Sequence, residues 1–178
     1  MEVHHPITPI AQAHDIKPYF WKRRSCGIAS LCMIMNSYTQ RIHKGTLQTL
    51  IDRGVVIHAY LAGIGWTHQG LIDLAKEYGF IGERFDYAKN DPQEGFDVLL
   101  NNVKKGPVIV SIHKDFNIKN GGHLVVVNGY TKTPTEIILH IVDPKSKRIK
   151  YAIRTVPQKK FVAGWKKRFI VIRPNNIT

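Results

Sequence analysis

Acidic residues are scarce in this chain: 13 Asp and Glu stand against 26 Lys and Arg over 178 residues, a net charge of +13. That excess disfavours cationic partners and favours anionic ones, such as acidic peptides, nucleic acid or membrane headgroups, without choosing among them. Cysteine is scarcer still. Cys26 and Cys32 are the only two; six residues apart on one helix, their Cα atoms would lie about 9 Å from each other, beyond the ~7 Å a disulfide tolerates. A disulfide scaffold is excluded, and free thiols fit a reducing compartment. No apolar run approaches the ~20 residues needed to cross a bilayer. The stretch from Met1 to Asp15 lacks the basic start and continuous apolar segment of a secretory signal. These absences lead to the expectation of a cytoplasmic protein without membrane insertion.

What remains is ordinary globular composition, 43% hydrophobic and 22% charged, at a length suited to one apolar core. The expected division is an N-terminal arm over 1–18, one domain over 19–174 and a tail over 175–178. Ile28, Leu31, Cys32 and Met35 recur at helical spacing, which predicts a helix from about Ser25, as N-cap, to Tyr38. Further helices are expected from Thr46 to Arg53, stopping at Gly54, and from Thr67 to Tyr78, stopping at Gly79. Asp91-Pro92-Gln93-Glu94 offers a cap, a proline at the first helical position and an acid beyond it. Phe96, Leu99, Leu100 and Val103 then supply an apolar stripe that ends at Gly106. Past Gly106 the pattern changes to short β-branched runs over 107–112, 123–130, 136–143, 148–153 and 168–173. Helices first and strands second argue for an α+β fold with a mainly antiparallel sheet.

Two features carry chemistry. Cys26 would occupy the first turn of the first long helix, where unsatisfied N–H groups and the positive end of the macrodipole favour a thiolate, and Lys22, Arg23 and Arg24 just upstream act the same way. Cys32, mid-helix on the apolar stripe, reads as a packed residue. The strands 123–130 and 136–143 are joined by a loop short enough for an antiparallel hairpin. If its turn is centred on Thr133, His123 and Asp143 face each other directly, with Cβ atoms roughly 5 Å apart. The aspartate could then accept from the imidazole and fix its tautomer, the support that a Cys–His pair needs. A slip of one residue would send the two to opposite faces.

Ser25-Cys26-Gly27-Ile28-Ala29-Ser30-Leu31 resembles the nucleophile segment of the C39 and C39-like peptidases, commonly Cys-Gly-Pro-Ala-Ser-Leu. The stretch from Gly121 to Tyr130 is similar to their histidine strand, Val142-Asp143-Pro144 to their acidic segment, and Gly65 to Leu71 to a stretch often found between them. The likeness spans roughly Tyr19 to Pro174. It implies a papain-like α+β fold, with N-terminal helices and the nucleophile at a helix tip, packed on a C-terminal, mainly antiparallel sheet. It further implies Cys26, His123 and Asp143 as a catalytic triad, amide cleavage through a thioester on a peptide or protein substrate, and no metal or organic cofactor. One position departs from the pattern: where the family places a glutamine, six residues before the cysteine, this chain has Phe20. Phenylalanine cannot donate to an oxyanion, so the backbone of Cys26, with Trp21 or Lys22, is the candidate donor set, and Trp66 and Gly122 are candidates for the cleft.

Cysteine peptidase is therefore the leading reading. The same thiol chemistry also serves an acyltransferase, deamidase or isopeptidase. A different class is a degenerate fold whose basic surface binds an acidic partner or nucleic acid, the latter less favoured because no recognition motif accompanies the charge. The remaining histidines show no metal-ligand spacing with cysteine.

Overall fold

A computed structural model describes residues 1–39 and 47–175. Its elements are β1 (Glu2–His4), α1 (Gln12–Asp15), α2 (Tyr19–Lys22), α3 (Cys26–Thr39), α4 (Leu47–Val56), β2 (Tyr60–Leu61), β3 (Gly65–Trp66), α5 (His68–Lys76), β4 (Phe80–Asp86), α6 (Pro92–Lys105), β5 (Val108–His113), β6 (Gly122–Lys132), β7 (Ile137–Val142), β8 (Ile153–Pro157), α7 (Gln158–Gly164) and β9 (Trp165–Pro174). The main sheet is antiparallel in the order β4-β9-β5-β6-β7-β8, with β1 added alongside β6. Its two faces carry separate cores, as period-two side-chain alternation requires. Ile109 of β5 with Leu124 and Val126 of β6 packs against α3, α4 and α5. Val108, Val110, Val125 and Val127 turn the other way, toward Phe96, Leu99 and Val103 of α6 and Phe161 of α7.

Local signals explain the clearest helices. Asp91 accepts from the N–H groups of Gln93 and Glu94, so α6 begins where its cap and proline dictate, and Gly106 ends it. Thr67 caps α5 by accepting from Gly70. The stripe of α3 is fully buried at Ile28, Leu31, Cys32 and Met35. Two details differ from expectation. The Ser25 carbonyl accepts from the Ala29 N–H, but its hydroxyl makes no hydrogen bond, so no side-chain cap forms. Helix α4 runs through Gly54 to Val56 instead of stopping there, since Gly54 does not take the left-handed conformation of a helix stop; its missing side chain serves Trp66, whose Cζ3 would lie 2.5 Å from a Cβ at that position. Thr46, the expected start of α4, lies outside the described residues.

The strand expected over 148–153 is instead a 3-10 turn over Ile149–Tyr151, followed by β8. Pairing with β7 begins only at Ile153, opposite Val142. The strand expected over 168–173 is the inner part of the longer β9. Residues 1–18, expected as an arm, join the body of the fold. Glu2–His4 pairs with Gly129–Thr131, and Ile10, Ala11 and Ile16 are buried. Of the expected tail, residues 176–178 lie outside the described residues. No described helix is long and apolar enough to cross a membrane.

Candidate active site

Cys26 opens α3 and is half-buried. Gly27 behind it permits close packing by Trp66: a Cβ at Gly27 would lie 2.7 Å from the Trp66 Cβ. The Trp66 indole donates to the Arg24 carbonyl at 2.8 Å, and its far edge rests on Gly54. One tryptophan thus wedges the start of α3 against α4 and fixes where the thiol stands.

His123 lies near the start of β6, and Asp143 directly follows β7; both are buried. The His123 Nε2–H donates to Asp143 Oδ1 at 2.7 Å. With that nitrogen occupied, Nδ1 is the one left for Cys26, with which His123 shares a side-chain hydrogen bond. The carboxylate is itself held. Arg154 donates to Asp143 Oδ2, and the Lys145 N–H donates to Oδ1 at 2.9 Å.

The pairing that brings His123 to Asp143 is not the one expected. Val126 faces Val142 and Val127 faces Ile141, so the two residues are diagonal neighbours, not directly opposed. A diagonal pair is still within reach of an imidazole. Nearer the turn, Gly129 faces His140 and Tyr130 faces Leu139, an odd number opposite an even one. Continued without a break, that register would pair Asp143 with Val126 and turn it away from His123. The ladder instead shifts between Val127 and Gly129, leaving Asn128 as the additional residue of a bulge. Residues beside β1 hold it there: the His5 N–H donates to the Asn128 carbonyl at 2.8 Å, and Asn128 Nδ2 donates to the His5 carbonyl at 2.9 Å.

Burial opposes charge on the Cys26 thiol, but the hydrogen bond and charge of His123, helped by the backbone amides of Leu124 and Gly27, bring its pKa below the ordinary thiol value. Burial also opposes charge on His123, yet Asp143 first and Cys26 second raise it to about 9. Asp143, against the penalty of its own burial, is held below the usual carboxylate range by His123, Arg154 and the Lys145 amide. Both shifts favour a thiolate–imidazolium pair over a neutral thiol beside a neutral imidazole.

Cys26 and His123 open onto a cleft of about 1050 Å³, and Asp143 is buried outside its lining. Of the candidates read from the sequence, Cys26, His123, Lys22, Trp66 and Gly122 line it. Phe20 does not; it is 52% exposed and lies beneath the Arg24 guanidinium. Trp21 packs on Tyr60 and Trp66 behind the cleft wall. Gln12 is among the lining residues that were not anticipated. Gln12, 5% exposed, is anchored by its N–H on the Pro144 carbonyl and by Nε2 on the Lys22 carbonyl, with Oε1 unpartnered. It stands fourteen residues before Cys26, and the segment containing α2 loops out between them. A fixed six-residue spacing could not find it; the available signal was that Gln12 is the one glutamine in the sequence before Cys26. Among the described residues no group of three or more His, Cys, Asp or Glu is gathered as metal ligands would be.

The family model for the Peptidase_C39 like family matches residues 5–169. The chain belongs to that family. Two similar solved structures are peptidase domains. A double glycine motif protease from an AMS/PCAT transporter, in complex with its leader peptide, is 17% identical over 97% of this chain and 94% of its own, with a TM-score of 0.63. The peptidase domain of Streptococcus ComA, a bi-functional ABC transporter, is 21% identical over 96% and 99%, with a TM-score of 0.62. No curated protein matches in sequence. This C39-like chain therefore has the helix-and-antiparallel-sheet fold of papain-like C39 peptidase domains.

Proposed function

We propose that the chain is a cysteine peptidase in which Cys26 is the nucleophile, His123 the acid and base, and Asp143 the group that orients and charges the histidine. One observation carries this reading: a half-buried thiol at a helix tip hydrogen-bonded to an imidazole whose other nitrogen is bonded to a buried carboxylate. The Cys26 thiolate adds to a peptide carbonyl carbon. As the C–N bond breaks, the imidazolium of His123 gives its proton to the leaving amine, and a thioester remains. Neutral His123 then takes a proton from water, hydroxide adds to the thioester, and the acid departs as the thiolate is restored.

The oxyanion needs donors that Phe20 cannot supply. The Cys26 backbone N–H is one. Gln12 is the second: it lines the same cleft, and only one of its two amide hydrogens has a partner, on the Lys22 carbonyl.

Alkylation at pH 7 with a substoichiometric haloacetamide, read by peptide mass mapping, tests the thiol assignment. The expected result is label on Cys26 with Cys32 untouched, and labelling about a hundredfold slower in His123→Ala, whose thiol loses the partner that lowers its pKa. Equal, slow labelling of both thiols would overturn it. A peptide library digested by the native chain and by Cys26→Ala, analysed by mass spectrometry, tests the reaction itself; amide cleavage by both proteins would count against it.

A further inference from the structure

We infer that the cleft over Cys26 accepts a peptide rich in acidic side chains, an assignment that deepens the peptidase reading and rests on it. Nine of the chain's 26 Lys and Arg line this cleft. Lys22, Arg23 and Arg24 line it on the approach to α3. Across from them stand Arg84 of β4 with Lys166 and Arg168 of β9, the Lys166 ammonium lying over Gly122, next to His123. Lys114, Lys145 and Lys147 come from the segments that follow β5 and β7. Among the described residues Asp86 is the one carboxylate lining the cleft, and Arg168 already holds it at 2.9 Å. Lys145 is paired with Asp115 at 2.8 Å. The other seven cations have no carboxylate partner among the described residues.

Crowding like charges around a concave, partly desolvated surface is costly, and an anionic occupant removes the cost. His68, in the same cleft and bonded to Ser111 at 2.6 Å, reports that potential. Its pKa falls to about 4, by burial first and then by Arg168, with Arg84 and Lys166 adding to the effect against Asp86. The reacting pair selects which anion enters. A thiolate beside an imidazolium attacks an acyl carbon, which a polynucleotide backbone lacks. A peptide with Asp and Glu offers both the carbonyl and the countercharge, while Tyr60 and Ile64 give its apolar side chains a wall.

The test measures binding to the full chain carrying Cys26→Ala, so that no turnover occurs. The probes are a fluorescent Glu-rich peptide, its Gln-for-Glu counterpart, and a single-stranded oligonucleotide of similar length, read by anisotropy at low and high salt. The Glu peptide is expected to bind roughly tenfold or more tighter than the Gln peptide at low salt, with the advantage shrinking as salt rises. Adding Lys147→Glu with Lys166→Glu should remove most of that advantage. Adding Lys105→Glu with Lys160→Glu, which alters net charge equally away from the cleft, should preserve it. Equal affinity for the Glu and Gln peptides, binding of the oligonucleotide in preference to the Glu peptide, or equal losses from both charge-reversed pairs would each overturn the proposal. Labelling of native Cys26 is independent of these results, so this assignment and the peptidase reading fail separately.

Discussion

Cys26 and Cys32 lie on the same helix, and desolvation opposes ionisation at both. At Cys32 no imidazole answers that penalty: the thiol is fully buried on the apolar stripe, where it accepts from the Asn36 amide, and burial pushes its pKa up to about 12. At Cys26 an imidazole and two backbone amides face the sulfur and reverse the outcome. Reactivity is thus a property of position: the helix tip leaves backbone amides free and lets the fold bring an imidazole to the sulfur, and the mid-helix site offers neither.

The comparison breaks most sharply under substitution. Cys26→Ala is expected to lower peptide hydrolysis by about 10⁴-fold or more, whereas Cys32→Ala should leave initial rates nearly unchanged; a large rate loss in the second variant would erase the distinction. Gln12→Ala should lower kcat by about 10²–10³-fold with little change in KM, as removal of one oxyanion donor does, while Phe20→Ala has little effect in the same steady-state assay.

The pH profile sharpens the contrast further. Because Asp143 and Cys26 raise His123 to about 9, the imidazolium is present below that pH, and kcat/KM should fall as pH rises through about 9. Asp143→Asn removes the charge that raises the histidine, so the alkaline limb should move to lower pH. A limb that stays in place would show that the carboxylate does not set the histidine's charge. The smallest effect belongs to stability: Cys32→Ala vacates a packed core site and should cost about 1 kcal/mol in urea unfolding, more than Cys26→Ala at the half-open helix tip.

How much of this was legible in the sequence depends on the range of the interactions. Helix α6 was readable because its cap, proline and stripe are neighbours in the chain, and α3 because its buried face repeats at helical spacing. Strand β4 was missed since Gly82, Glu83 and Arg84 interrupt the β-branched pattern; it is an edge strand whose pairing with β9 spans Phe80 to Asp86. The meeting of His123 with Asp143 was readable in outline, because a short hairpin brings the ends of its two strands together. Its register was not, because the shift at Asn128 depends on β1, over a hundred residues away in sequence. Gln12 was missed for the same reason, its place being set by the Pro144 and Lys22 carbonyls.

The hairpin between His123 and Asp143 carries one surplus residue, and the N-terminal strand decides where that surplus is stored. Ladder partners on both sides of Asn128 already match as though it were absent, Val127 to Ile141 and Gly129 to His140. Excising Asn128 should therefore keep imidazole and carboxylate on one face, although the bonds to His5 are lost. Excising Val126 instead removes a residue on the active-site side of the bulge and turns His123 to the opposite face. In this hairpin the damage done by a deletion follows arithmetic more than chemistry: what matters is on which side of residue 128 the chain is shortened.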